Sequence, residues 1–144
     1  VIYGPRGATI DTGVQPNKST AAEFKVTPLE LTGNAIIGTP GAADNQDWRC
    51  FNYGGAIYWD CYNSRLNGNT FASGVTRNLR IENNKVTDLD TETVLLSGNS
   101  QLTVSVPYNI FINAGVSTNT TIANWFYVKI YQGDELVRHY IPCM

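Results

Sequence analysis

Apolar residues recur at every second position in short runs along this chain, and the runs stop at turn formers such as glycine, asparagine and proline. A period of two belongs to strands with one buried face, and no stretch shows a convincing helix of ten or more residues. Ala22, Phe24 and Val26 alternate with Glu23 and Lys25. Ala35-Ile36-Ile37-Gly38 runs into Thr39-Pro40-Gly41, a turn signal. Residues 48–53 and 56–62 flank Gly54-Gly55 and predict a β-hairpin with a tight glycine turn. A turn at Gly54-Gly55 sets Cys50 opposite Trp59, whereas a turn at Gly55-Ala56 sets it opposite Cys61, and both registers stay open. Residues 63–74 are polar and rich in Gly and Asn, which predicts a loop. Strands are expected over 77–86 (turning at Asn83-Asn84), 93–96, 102–106, 108–114, 125–131 and 136–141. In the 125–131 strand, Phe126, Val128 and Ile130 share a face. The expected core is Phe24, Val26, Ile36, Phe51, Leu79, Ile81, Phe111, Phe126, Val128 and Ile130. Roughly ten short strands at this spacing predict an all-β, antiparallel two-sheet β-sandwich.

Composition supports that class and excludes others. The 144 residues are 42% hydrophobic, show no internal repeat or compositional break, and are expected to form one domain over 1–144. A domain of that size buries roughly 68–70% of its unfolded surface. With 15 Asn, 15 Thr and 13 Gly, the chain is rich in strand and turn formers. Ten Lys and Arg against 12 Asp and Glu leave no basic excess for neutralising phosphates, so no nucleic-acid partner is expected. No apolar run approaches the roughly 20 residues of a membrane-spanning helix, so no membrane insertion is expected either. No signal-peptide pattern opens the chain, and a start at Val1 is expected of a processed or trimmed product. Three cysteines (Cys50, Cys61, Cys143) cannot all pair within one chain. Free, partly buried thiols are the expectation; a Cys50–Cys61 disulfide depends on the hairpin register.

Two end motifs carry a family resemblance. Ile10-Asp11-Thr12-Gly13-Val14 resembles the opening of concanavalin A-like, LamG-type jelly-roll domains found in phage virion proteins and surface proteins of gut bacteria. The stretch from Phe126 to Cys143, with Lys129-Ile130-Tyr131, Gly133, Leu136-Val137-Arg138 and Ile141-Pro142-Cys143, is similar to their closing hairpin. The opening departs from the family at Tyr3-Gly4-Pro5-Arg6-Gly7, and the chain stops at Met144 where relatives often continue, as a trimmed product would. The resemblance implies a jelly roll whose first and last strands are neighbours. Gly13 and Gly133 are then backbone requirements, and Asp11 is the expected carboxylate partner of Arg138. It also implies an extracellular setting, on a virion or a bacterial surface.

Catalytic chemistry finds little support. Relatives with this sandwich include β-glucanases, whose Glu-x-Asp-x-(x)-Glu strand aims its carboxylates into one cleft. Asp88-Leu89-Asp90-Thr91-Glu92 is the nearest match. It opens on Asp, a methylene too short for a reaction sensitive to ångström placement, so a solvated acidic turn and no enzyme are expected. His139 is the sole histidine, which leaves little material for a catalytic triad or a zinc site. Asp44, Asn45 and Asp47 offer oxygens but no full Ca²⁺ ligand set, so no cofactor or metal is expected. Asn17-Lys18-Ser19 and Asn119-Thr120-Thr121 match glycosylation acceptors, which carry no meaning in a bacterial or phage protein.

A binding surface remains. Trp48, Tyr53, Tyr58, Trp59 and Tyr62 cluster in the hairpin, with Asp60 among them. Aromatic faces stack on sugar rings while polar side chains bond the hydroxyls. Alternation sends at least half of these rings inward. Trp59 beside Asp60 is the leading ligand-binding pair, although a bulge or strand end is needed for both to act together. The expected function is non-catalytic recognition of cell-surface carbohydrate, with multiple copies on a homo-oligomer or fibre. The alternative is a structural virion or fibre module that touches only protein.

Overall fold

Thirteen strands and no helix form the regular structure of the described residues. The computed structural model describes residues 2–4, 9–30, 35–40, 47–62, 64–98, 106–113 and 122–142, with only the backbone path for 2–4. The first four strands are β1 (Ile2–Gly4), β2 (Ile10–Asp11), β3 (Thr20–Pro28) and β4 (Ala35–Gly38). Next come β5 (Trp48–Tyr53), β6 (Ala56–Cys61) and β7 (Ser64–Thr70), then β8 (Arg77–Glu82), β9 (Lys85–Asp88) and β10 (Thr93–Ser97). β11 (Phe111–Ile112), β12 (Ala123–Gln132) and β13 (Glu135–Tyr140) complete the series. The expected strand over 102–106 lies outside the described residues except for Val106, as do Asp44, Asn45, Asn63, Asn119, Thr120, Thr121 and Cys143.

The strands form two antiparallel sheets, as expected of a β-sandwich. One runs β12-β3-β8-β9-β10, and the far side of β12 is shared by β1 at residues 123–125 and β13 at residues 128–132. The other runs β2-β11-β4-β5-β6-β7. Their inner faces meet in one apolar cluster that joins Phe24, Leu79, Ile81, Val128 and Ile130 of the first sheet to Ile36, Trp48, Ile57 and Trp59 of the second. At its centre, Trp48 and Trp59 pack edge to face with ring centroids 5.0 Å apart. The Trp59 indole N–H donates to the Asn83 carbonyl at 2.8 Å, which ties β6 to the β8–β9 turn of the opposite sheet.

The Gly54-Gly55 turn decides the hairpin register. Both glycines have positive φ, 57° and 81°, which the two-residue turn requires and which glycine adopts without strain. Cys50 therefore lies opposite Trp59 and Trp48 opposite Cys61. Both thiols are free and buried. Gly38 answers a different demand. A Cβ there would lie 2.4 Å from the Arg49 Cα and the Trp48 carbonyl oxygen, so β4 can approach β5 only without a side chain. Gly13 and Gly133 also hold positive φ, 69° and 61°.

Several expectations are corrected by bulges, each of which shifts the phase of alternation by one residue. Trp125 pairs with Val26 and Tyr127 with Lys25, so Phe126 is the extra residue of β12. Upstream of it the inward residues are Ala123 and Trp125; downstream they are Val128 and Ile130. Phe126 is thus half-buried on the outer face, beneath the Lys25 ammonium, and does not belong to the core. A second bulge at Ile36 turns both Ile36 and Ile37 inward and leaves Ala35 outside. Ala35 and Phe51 form a second, smaller apolar cluster with Tyr58 and Phe111 packed against it, so Phe51 is buried as expected but apart from the main cluster, while Phe111 is only half-buried. Residues 64–70, expected as loop, form strand β7 along β6. This edge strand buries little, so its sequence carries no strong apolar alternation. The expected Arg138–Asp11 pair is also absent. The Arg138 Nε donates to the Thr12 carbonyl at 3.0 Å, while Asp11 accepts from the Asn109 amide and the Gly13 N–H.

The bulge yields a direct comparison of two phenylalanines. Phe24→Ala should cost about 3–5 kcal/mol and Phe126→Ala no more than about 1 kcal/mol. Urea-unfolding midpoints of the two variants, at unchanged m-value, measure the difference.

Candidate functional site

Period-two alternation divides the aromatic hairpin between two environments. Trp48 and Cys50 of β5 and Ile57, Trp59 and Cys61 of β6 point inward; Arg49, Phe51 and Tyr53 of β5 and Tyr58 and Asp60 of β6 occupy the outer face. Trp48 is 1% exposed and Trp59 fully buried, so neither indole offers a face to a ligand. This corrects their place among the expected ligand-binding residues. β6 is regular at Trp59 and Asp60, so no bulge brings that pair onto one side. Tyr62 follows the strand at φ 59°, half-buried against the core. Among the described residues its hydroxyl has no hydrogen-bond partner, and burial pushes its pKa upward.

The outer face keeps Tyr53, Tyr58 and Asp60 and adds residues that the sequence did not single out. Phe51 and Tyr58 stack at 5.0 Å between centroids, and Tyr53 meets Tyr58 edge-on at 5.8 Å. Arg65 of β7 lies opposite Asp60 and grips it with two bonds of 2.7 Å. The same guanidinium covers Phe51 and Tyr58, at 5.6 and 5.8 Å from the ring centroids. Arg49 reaches Asp60 at 3.3 Å and Asp47 at 3.4 Å while lying over Phe51. Hydrogen bonding to Asp60 raises the Arg65 pKa further, so the cation is permanent. Asp60 itself is only 4% exposed, sealed under its two arginines, and acts as their anchor. Among the described residues, two cations and two carboxylates leave this patch electrically balanced.

Tyr53 is the open ring of the group, with 61% of its surface exposed. Asn67 of β7 lies across from Tyr58 and is exposed, which places an amide on the same face. Arg65 and Asn67 escape a reading of the sequence because they belong to the stretch that reads as loop. Their only strand signal is the apolar Leu66 between them.

The other candidate chemistry is not assembled. Asp88 ends β9, and its carboxylate accepts from the backbone N–H groups of Asp90 and Thr91 and from Arg77. Asp90 and Glu92 are exposed on the turn that follows, so no strand aims the three carboxylates into one cleft. His139 is exposed on β13. Among the described residues, no group of three or more His, Cys, Asp or Glu side chains is placed to hold a metal. No protein-family model matches the sequence, and no curated protein matches it.

Asp60→Ala strands two arginines over the aromatic stack and should cost about 1–3 kcal/mol, measured by chemical denaturation. Burial pushes the Cys61 thiol up to about 12 and the Cys50 thiol higher, with the Asp60 charge adding to the Cys50 shift. In a Cys143→Ser background, the native thiols should resist a disulfide reagent at pH 8 and react on unfolding. The folded chain holds these protons while the unfolded chain releases them above pH 9.0. Stability should therefore fall as pH rises from 9 towards 12.

Proposed function

We propose that this domain is a non-catalytic carbohydrate-binding module that receives a neutral glycan on the outer face of β5, β6 and β7. The observation that carries the proposal is the exposed Tyr53 ring, braced edge-on by a Tyr58–Phe51 stack that Arg49, Arg65 and Asp60 hold in place. A rigid ring with one open face provides a stacking surface at low entropic cost, and Asn67 and the tyrosine hydroxyls offer bonds to sugar hydroxyls. The balance of charge on the patch favours a neutral ligand over an acidic one. The two end motifs and the two-sheet sandwich together support a place among concanavalin A-like, LamG-type jelly rolls. Such a module would work extracellularly, on a phage fibre or a bacterial surface.

One stacked ring contributes on the order of 1 kcal/mol beyond burial, which puts a single site near millimolar affinity. Display of several copies raises the overall avidity, so a homo-oligomer or fibre is the working form. The test is binding of a multimeric display of the domain to host-surface polysaccharide, comparing wild type with Tyr53→Ala. Loss of binding in the variant, with thermal stability unchanged, supports the proposal. Equal binding by both removes Tyr53 from the site. No binding by the wild-type multimer favours the alternative, a structural module that contacts only protein.

A further inference from the structure

Fifteen asparagines are spread along the chain, and Asn67 alone is followed by glycine. That pair of residues carries a chemistry of its own. The peptide nitrogen that follows an asparagine can attack its side-chain carbon and close a five-membered ring. A side chain on the following residue obstructs the approach, and glycine has none.

The fold leaves this reaction open at Asn67. β7 is the edge strand of its sheet, paired with β6 alone. Its pairing breaks directly after Asn67: Gly68 lies opposite Ile57, Thr70 opposite Ala56, and Asn69 is the extra residue. Gly68 has φ 146° and Asn69 φ 57°, so the backbone departs here from the regular strand. The Asn67 side chain is not held either. It is exposed, and among the described residues its amide makes no hydrogen bond. Other asparagines are tied down: Asn69 to the Leu95 carbonyl at 2.9 Å, Asn78 to Asp90 at 2.8 Å, and the buried Asn52 to the Glu30 carbonyl at 2.9 Å. Arg65 stands two residues earlier on the same face of β7. Its cation favours the negative charge that develops as the nitrogen attacks, and it favours a carboxylate in the product.

We infer that Asn67 is a site of spontaneous covalent modification in the folded protein, where its neutral amide becomes a carboxylate. The Gly68 nitrogen bonds to the Asn67 Cγ and the Cγ–Nδ2 bond breaks. The Gly68 N–H proton leaves with the amide nitrogen as ammonia. Water then opens the succinimide at either carbonyl and gives aspartate or isoaspartate. Water is the only co-reactant, and nothing is oxidised or reduced. Either product adds one negative charge to a chain of formal net charge −2, beside Arg65 on the outer face of β5, β6 and β7. Isoaspartate also routes the main chain through the former side chain, which lengthens β7 by one atom. The reaction does not depend on the ligand proposed for that face.

The test is peptide mapping by mass spectrometry after the whole chain has stood for weeks in mildly alkaline buffer, beside a sample unfolded in urea. In the folded sample, the mass gain of amide-to-acid conversion should appear at Asn67 about tenfold faster than at Asn69 or any other asparagine, a barrier difference of roughly 1.4 kcal/mol. Enzymatic methylation should detect isoaspartate at the same position, and a more acidic species should grow in step on ion exchange. Gly68→Ala should slow the conversion by about tenfold or more. A Cβ there meets Leu96 at 3.3 Å and has to adopt φ 146°; if the variant folds poorly, the wild-type comparison of Asn67 with Asn69 decides alone. Modification confined to the urea sample, a lead by another asparagine in the folded chain, or an unchanged rate in folded Gly68→Ala would each overturn the inference.

Discussion

The burial of Trp59 between the sheets is the constraint on which the rest of the molecule depends. An indole in an apolar core needs a partner for its N–H, and here that partner is the Asn83 carbonyl of the opposite sheet. The bond holds β6 at a set height over the β8–β9 turn. Trp48 packs against Trp59 on the same inner face, so the hairpin's two largest rings are committed to the core. With these rings inside, alternation places Tyr53, Tyr58 and Phe51 on the other side.

On the outer face, charge takes over the role that packing plays inside. Phe51 and Tyr58 are covered by guanidinium groups, and both guanidiniums are tied to one nearly buried carboxylate. Arginine suits the task because its plane stacks on a ring while its edge bonds an acid. A lysine in either place would keep the charge and lose that double engagement. The opposite sheet repeats the full device once, with Arg80 over Tyr131 and bonded to Glu23, and the ring cover alone with Lys25 over Phe126 and Lys129 over Tyr127. Aromatic residues on the outer faces of both sheets are thereby covered by cations.

Features set by local chemistry are legible in the sequence. Gly54-Gly55 reads as a turn because few other residues take two successive positive φ values, and Asn83-Asn84 turns the chain as expected. The alternation of Ala22, Phe24 and Val26 reads directly as one buried face. Bulges are not legible, because an inserted residue leaves no mark in a pattern of apolar and polar letters. Phe126 looks identical to Val128 in phase until the pairing with β3 is known. The candidate site suffers the same limit. Alternation shows that half of the hairpin aromatics are inward without showing which half, and Trp59 falls on the buried side. Arg65 and Asn67 act through an edge strand whose register is imposed by β6 rather than by their own sequence.

Two contacts at opposite flanks of the sandwich have a consequence for crowded settings. On one flank, the bulged residue Asn69 donates its amide to the carbonyl of the bulged residue Leu95, joining β7 to β10. On the other, Arg138 of β13 reaches the Thr12 carbonyl just beyond β2. Each contact spans the two sheets at a margin where open hydrogen-bonding groups would otherwise invite another chain to add a strand. Bulges also twist such margins away from the flat geometry that strand addition needs. At these two points a copy adding a strand has to displace a bond that already spans the sandwich.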